Sequence, residues 1–219
     1  MTRLRRYMSE NGMALLLLEL MRWLMTRVRS ALFRRILKAK GLIIGRNVRI
    51  LGARFLKVGS DFRCGDDIWI EALQLPGKDA PRPILDIGDR VSISRWVHIA
   101  CVNRILIGDS CLIGSKVLIS DHNHGRYAGH GQSDPSTRPN DRELSSGGPV
   151  IIGKNVWIGD NAVILGSVEI GDGAIVAANA VVIKSVPSNT IVAGIPGRVV
   201  KRFDPLSSTW VAFADRSDE

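Results

Sequence analysis

Ile152, Ile158, Ile164, Ile170, Val176 and Val182 stand six residues apart without a break, and Val156, Ala162, Val168, Ala174, Ala180 and Val186 repeat the interval four residues on. A six-residue period belongs neither to a helix nor to a plain alternating strand. It predicts a solenoid that turns a corner every six residues, each unit one short strand and a turn. The aliphatic residues point inward, and the Gly, Asp and Asn between them tolerate the corner. Three units close one triangular coil, so about eighteen residues climb one strand spacing of about 4.8 Å.

The repeat reaches further back. IGDRVS, ISRWVH and IACVNR begin at Ile87, Ile93 and Ile99; IGDSCL and IGSKVL follow from Ile107 and Ile113 after a two-residue slip. Looser copies begin at Ile44, Val58 and Cys64. At the other end, VAGIPGRVV reads as the end of the solenoid, with Pro196 and Gly197 breaking the repeat. One interruption divides it, residues 121–149, rich in Gly, Ser, Pro and charge and holding His122, His124 and His130. A long excursion from a rigid scaffold points to function rather than to a linker. The chain therefore divides into a basic helical segment 1–40, a repeat domain 41–203 with its excursion loop, and a tail 204–219.

Charge is uneven. Of the net +9, residues 1–40 carry +8, ten Lys or Arg against Glu10 and Glu19, and the rest carries +1. A nucleic-acid-binding solenoid would spread its basic residues along the body. From Met13 to Ile36 the segment has no Pro or Gly and reads as an amphipathic helix. Glu19 and Arg22 interrupt its apolar run, so it falls short of the ~20 apolar residues of a bilayer span. Without a small-residue cleavage site it does not read as a signal peptide. It either caps the open end of the solenoid or lies on a membrane surface. Cys64, Cys101 and Cys111 sit inside repeat units and read as buried thiols of a reducing compartment.

VHIACVNRILIG (97–108), LISDHNHG (118–125), GKNVWIGDNAVIL (153–165) and IVAGIPGRVVKRF (191–203) resemble the hexapeptide-repeat acyltransferases over roughly residues 44–203. The nearest branch is that of the maltose, galactoside and nodulation-factor O-acetyltransferases, and within it the enzymes of lipopolysaccharide and exopolysaccharide synthesis. The resemblance implies an all-β fold, a left-handed parallel β-helix whose hand opposes the usual crossover rule, assembled as a homotrimer. It implies acetyl-CoA as co-substrate, no permanently bound cofactor, and a sugar hydroxyl of a surface polysaccharide or its lipid-linked precursor as acceptor. A cytoplasmic enzyme is expected, and the membrane-surface reading of residues 1–40 would put it in peripheral contact with the inner face of the cytoplasmic membrane.

Moving an acetyl group onto an alcohol needs a general base, and histidine titrates in the right range. The resemblance places that base at the start of the loop, on His122, with Asp121 or a backbone carbonyl fixing its tautomer; His124 is the rival. The family's sugar-binding Asn aligns with Ser94, which keeps one hydroxyl but loses the paired amide groups. Trp96, His98 and Asn103, with Arg95, are further candidates for the acceptor. For acetyl-CoA the alignment carries over Asp160, Ala178, Ile183, Lys184, Arg198 and Lys201, with Trp157 at the loop's return as a wall. Lys184, Arg198, Lys201 and Arg202 form a basic cluster suited to the phosphates of CoA. No metal site is expected, since the His-x4-His spacing of a β-helix zinc hydratase is absent. That hydratase and a non-catalytic trimeric scaffold at a membrane are the alternatives.

Overall fold

The computed structural model describes residues 3–74 and 84–213. Helix α1 (Arg3–Leu37) is interrupted at Gly12, whose φ of 80° and ψ of 166° are not helical. The chain then steps in rotation across three parallel sheets. The first holds Ile43–Ile44, Arg63–Cys64, Ser92–Ile93, Leu112–Ile113, Trp157–Ile158, Ile175–Val176 and Thr190–Ala193. The second holds Arg49–Leu51, Trp69–Ala72, His98–Cys101, Leu118–Ser120, Val163–Leu165 and Val181–Val182. The third holds Leu56–Val58, Leu85–Ile87, Ile105–Ile107, Val150–Ile152 and Val168–Ile170. Each strand pairs in register with its counterpart one coil away, as Ile113 does with Ile158 and Ile119 with Ile164.

Both six-residue series are buried: the Ile/Val series fills the strand interiors and the Val/Ala series the inner corners. The corners explain the polar residues between them. Asn47, Asp67, Asn155, Asn161, Asn179 and Asn189 take left-handed φ between 51° and 61° at successive turns, a conformation that Asn and Asp adopt at low cost. The Gly of IGD lets coils approach: a Cβ on Gly88 would meet Asp109 Oδ1 at 2.5 Å. The Asp of IGD accepts a backbone N–H from the preceding coil: Asp66 from Arg46 at 2.8 Å, Asp109 from Asp89 at 2.9 Å, Asp172 from Lys154 at 2.6 Å.

The two ends differ from each other. The last turns of α1 cover the free edge of strand Ile43–Ile44: Ile44 N donates to Ser30 Oγ at 3.0 Å, and Phe33 and Leu37 pack on the core. At the other end the chain reverses through Gly194–Gly197 and continues as antiparallel strands Arg198–Asp204 and Thr209–Ala212 on the first sheet. The segment read as a tail thus begins as part of a hairpin, because Pro196 and Gly197 turn the chain back onto the sheet; its residues 214–219 lie outside the described residues.

Candidate active site

Chain geometry sets up the loop. Strand Leu118–Ser120 runs up the second sheet; at the corner leaving it, Asp121 turns inward and His122 opens a ribbon, His122–His124, paired antiparallel with Leu144–Ser146. The excursion therefore leaves and rejoins the coil through paired backbone.

Asp121 is completely buried. Its Oδ1 accepts the N–H of Val102 at 2.9 Å, and its Oδ2 those of Asn103 at 2.9 Å and Arg104 at 2.8 Å. The Cys101 thiol lies 3.4 Å from Oδ2, and His122 Nδ1 stands 3.2 Å from Oδ1. Burial pushes the carboxyl's pKa up, but hydrogen bonds from His122, the Val102 and Asn103 amides and Cys101 outweigh it and hold it below the ordinary range. Asp121 is thus an anion, which directs the Nδ1 proton of His122 toward itself and leaves Nε2 as the acceptor. Burial, then the Asp121 charge, push the Cys101 thiol up, and burial carries Cys64 and Cys111 to about 11. None of the three is a thiolate nucleophile at neutral pH.

His98 lies one coil below. Its ring stacks on Trp69 at 4.4 Å and 9°, and its Nε2 is buried without a hydrogen-bond partner, 3.8 Å from Glu71 Oε2. Burial lowers its pKa, Glu71 opposes that, and His122 adds to it, so the ring is held neutral. Glu71, Ala100 and Ser120 share one register column beneath His122. Glu71, Trp69 and Cys101 were not among the expected site residues. The one available signal was the outward position of Glu71 in WIEA, two residues from Trp69.

Most of the expected residues fall at two corners of the prism, and His98, Trp157, Arg198 and Lys201 fall on its sheets. Asn103 lies with His122 at the corner leaving the second sheet, but its backbone N–H is what holds Asp121. Ile183 and Lys184 follow the last strand of the second sheet at that same corner, and between them and Asp121 lies Gly166, which leaves the corner bare. Ser94, Trp96, Asp160 and Ala178 lie at the other corner, the one entering the second sheet, a full strand away from His122 in one chain. Asp160 Oδ1 accepts Ser115 N at 2.6 Å, the same rung that Asp66 makes lower down. Trp157 is not at the loop's return, which enters the third sheet. It stands half-exposed on the first sheet between Leu112 and Ile175. Lys201 lies on that sheet opposite Ile191, and Arg198 opposite Ala193. His124 is exposed two residues along the ribbon, and among the described residues no carboxylate pairs with its ring. Asn123, Arg126, Tyr127, Ser145 and Ser146 line a cleft of about 410 Å³ at the base of the loop. Among the described residues no three His, Cys, Asp or Glu gather closely enough to hold a metal ion.

The repeat has counterparts in known proteins. The family model described as "Bacterial transferase hexapeptide (six repeats)" matches residues 149–184. The chain is 35% identical over 158 residues to WbbJ of Escherichia coli (strain K12), provisionally assigned as a lipopolysaccharide biosynthesis O-acetyl transferase, covering 71% of this chain and 76% of that one. It is 31% identical over 146 residues to the galactoside O-acetyltransferase of the same strain, 64% of this chain and 63% of that one. A hexapeptide-repeat acetyltransferase of Vibrio cholerae O1 biovar eltor, solved with acetyl-coenzyme A, superposes with a TM-score of 0.50 at 28% identity, covering 81% of this chain and 78% of that one. On the extent of the similarity to WbbJ, together with the matched repeat, the chain belongs to the hexapeptide-repeat family of bacterial acyltransferases.

Proposed function

We propose that the protein transfers acetyl from acetyl-CoA directly to a hydroxyl of a surface-polysaccharide sugar or its lipid-linked precursor, with His122 as the base. The observation that carries this reading is the Asp121–His122 pair at the corner where the loop leaves the coil. His122 Nε2 takes the hydroxyl proton while the oxygen attacks the thioester carbonyl. Asp121, kept anionic, stabilises the imidazolium that forms. When the tetrahedral intermediate collapses, the C–S bond breaks and the proton passes from Nε2 to the departing sulfur. No covalent enzyme intermediate is needed, in keeping with thiols that stay protonated. Acetyl-CoA is a co-substrate and not a resident cofactor.

In this reading the coil winds left-handed and three copies assemble side by side. The corner that carries His122, Ile183 and Lys184 then faces a neighbour's corner carrying Trp96, Asp160 and Ala178, so each site is shared. The three buried thiols and the need for acetyl-CoA suit the cytoplasm, and residues 1–40 suit peripheral contact with its membrane. A His122→Ala chain is expected to keep its melting temperature and its calorimetric affinity for acetyl-CoA, and to lose about 10²–10⁴ in thioester turnover with a sugar acceptor. Turnover near that of the wild type would refute the assignment.

A further inference from the structure

Helix α1 has two faces with different fates. One face meets the first coil: Ser30 accepts Ile44 N, Arg29 Nε donates to the Ile44 carbonyl at 3.2 Å, Arg34 Nε donates to the Leu42 carbonyl at 3.1 Å, and Phe33 and Leu37 pack against the core. These contacts, all from residues 29–37, hold the last turns of the helix on the end of the prism. On the opposite face Leu17, Met21, Leu24, Val28, Leu32 and Ile36 recur at three- and four-residue intervals, and each is more than half exposed. Leu18 and Met25 widen the row. At 3.6 residues per turn these side chains form a stripe about 120° wide and about 30 Å long. No charged residue falls within it before Arg35, and Arg22 and Arg29 border one side.

A stripe of this size on a soluble surface marks a contact. Capping the coil does not explain it, since the cap uses the other face. Spanning a bilayer does not explain it either: no helix among the described residues is long and apolar enough to cross a membrane. A second copy of the helix would bury the stripe, but only by setting two segments of net +8 side by side. That same charge complements an anionic lipid surface. We propose that the outer stripe of α1 lies in the plane of an anionic bilayer surface, apolar side chains among the acyl chains and the exposed Arg22, Arg27 and Arg35 at the phosphates. This rests on the peripheral membrane contact read above for residues 1–40, and not on the acetyl-transfer chemistry.

The full chain, without acetyl-CoA, is floated with phosphatidylcholine vesicles with and without phosphatidylglycerol. The wild type should float with the anionic vesicles only, and less so as salt rises. The triple substitution Leu17→Glu, Leu24→Glu, Val28→Glu should cut flotation roughly tenfold or more while the melting temperature and acetyl-CoA affinity stay put. Three results overturn the proposal: no flotation of the wild type, flotation indifferent to phosphatidylglycerol and salt, or a triple variant that floats as well as the wild type. A wild type that stays unbound and loses oligomer mass only in the triple variant gives the stripe to a second copy. Should the triple variant fail to fold, the salt and lipid dependence of the wild type decides. Because flotation is read without substrate, its failure leaves the transferase reading standing, and an inactive but vesicle-bound protein would fault that reading alone.

Discussion

Asp121 is held by three backbone N–H groups that belong to a turn eighteen residues earlier in the chain, and this fixes both its charge and its aim at His122. Asp121→Asn replaces one acceptor oxygen by an NH2 that faces N–H donors, so at least one buried group loses its partner. The variant should lose about 1–3 kcal/mol of stability and most of its turnover, read by denaturant unfolding and thioester assay. His98 carries a separate pH signature. Its folded pKa lies below its unfolded value of about 6.5, so the unfolded chain binds the proton first as pH falls. The stability this group contributes is therefore full above about pH 6.5 and lost as pH drops through its folded pKa. A His98→Phe chain should show a flatter loss of stability between neutral pH and pH 5 in parallel melts; an unchanged slope would reject the account.

At the scale of the element, the hexad is one inward strand residue, one inner-corner residue and one left-handed turn residue. Asn fills that turn repeatedly, but Trp96 also adopts it, with φ of 55° and its ring half-exposed beside Lys116 Nζ at 5.7 Å. A bulky residue there carries strain of about 1 kcal/mol, which is retained where the side chain has other work. Trp96→Asn should accordingly raise the melting temperature while weakening the apparent affinity for the acceptor without changing that for acetyl-CoA. A variant that melts higher and turns over normally would make Trp96 a mere corner residue. The excursion loop obeys different rules from the coil: its ends are fixed by the ribbon His122–His124 against Leu144–Ser146, a non-hexad pairing that no period announces.

At the scale of the molecule, the two corners that carry the expected donor and acceptor residues are a whole face apart. A shared site between copies predicts complementation. Chains carrying His122→Ala and chains carrying Asp160→Ala, each inactive alone, should regain activity when unfolded and refolded together, in a species of three-chain mass by light scattering. Mixed oligomers with no activity would place the whole site within one chain and remove the reason for sharing. The charge distribution also belongs to this scale, because residues 41–219 together carry only +1 while residues 1–40 carry +8.

By itself the sequence determined the repeat, the inward residues, the corners, the long excursion that begins at residue 121 and the helix before Ile43. All of these are local, since a six-residue period states its own burial and its own turn. It also placed His122 beside Asp121, as chain neighbours. Only the tertiary structure decided that Val102, Asn103 and Arg104 close over Asp121, that His98 lies near His122 above Glu71, that Trp157 stands on a different face from the loop, and that the stripe of α1 is left uncovered. Those facts depend on how coils stack, and stacking register is set by the irregular lengths between strands. Cys101–Ile105 and the excursion loop each shift every later residue by an amount that the period does not encode.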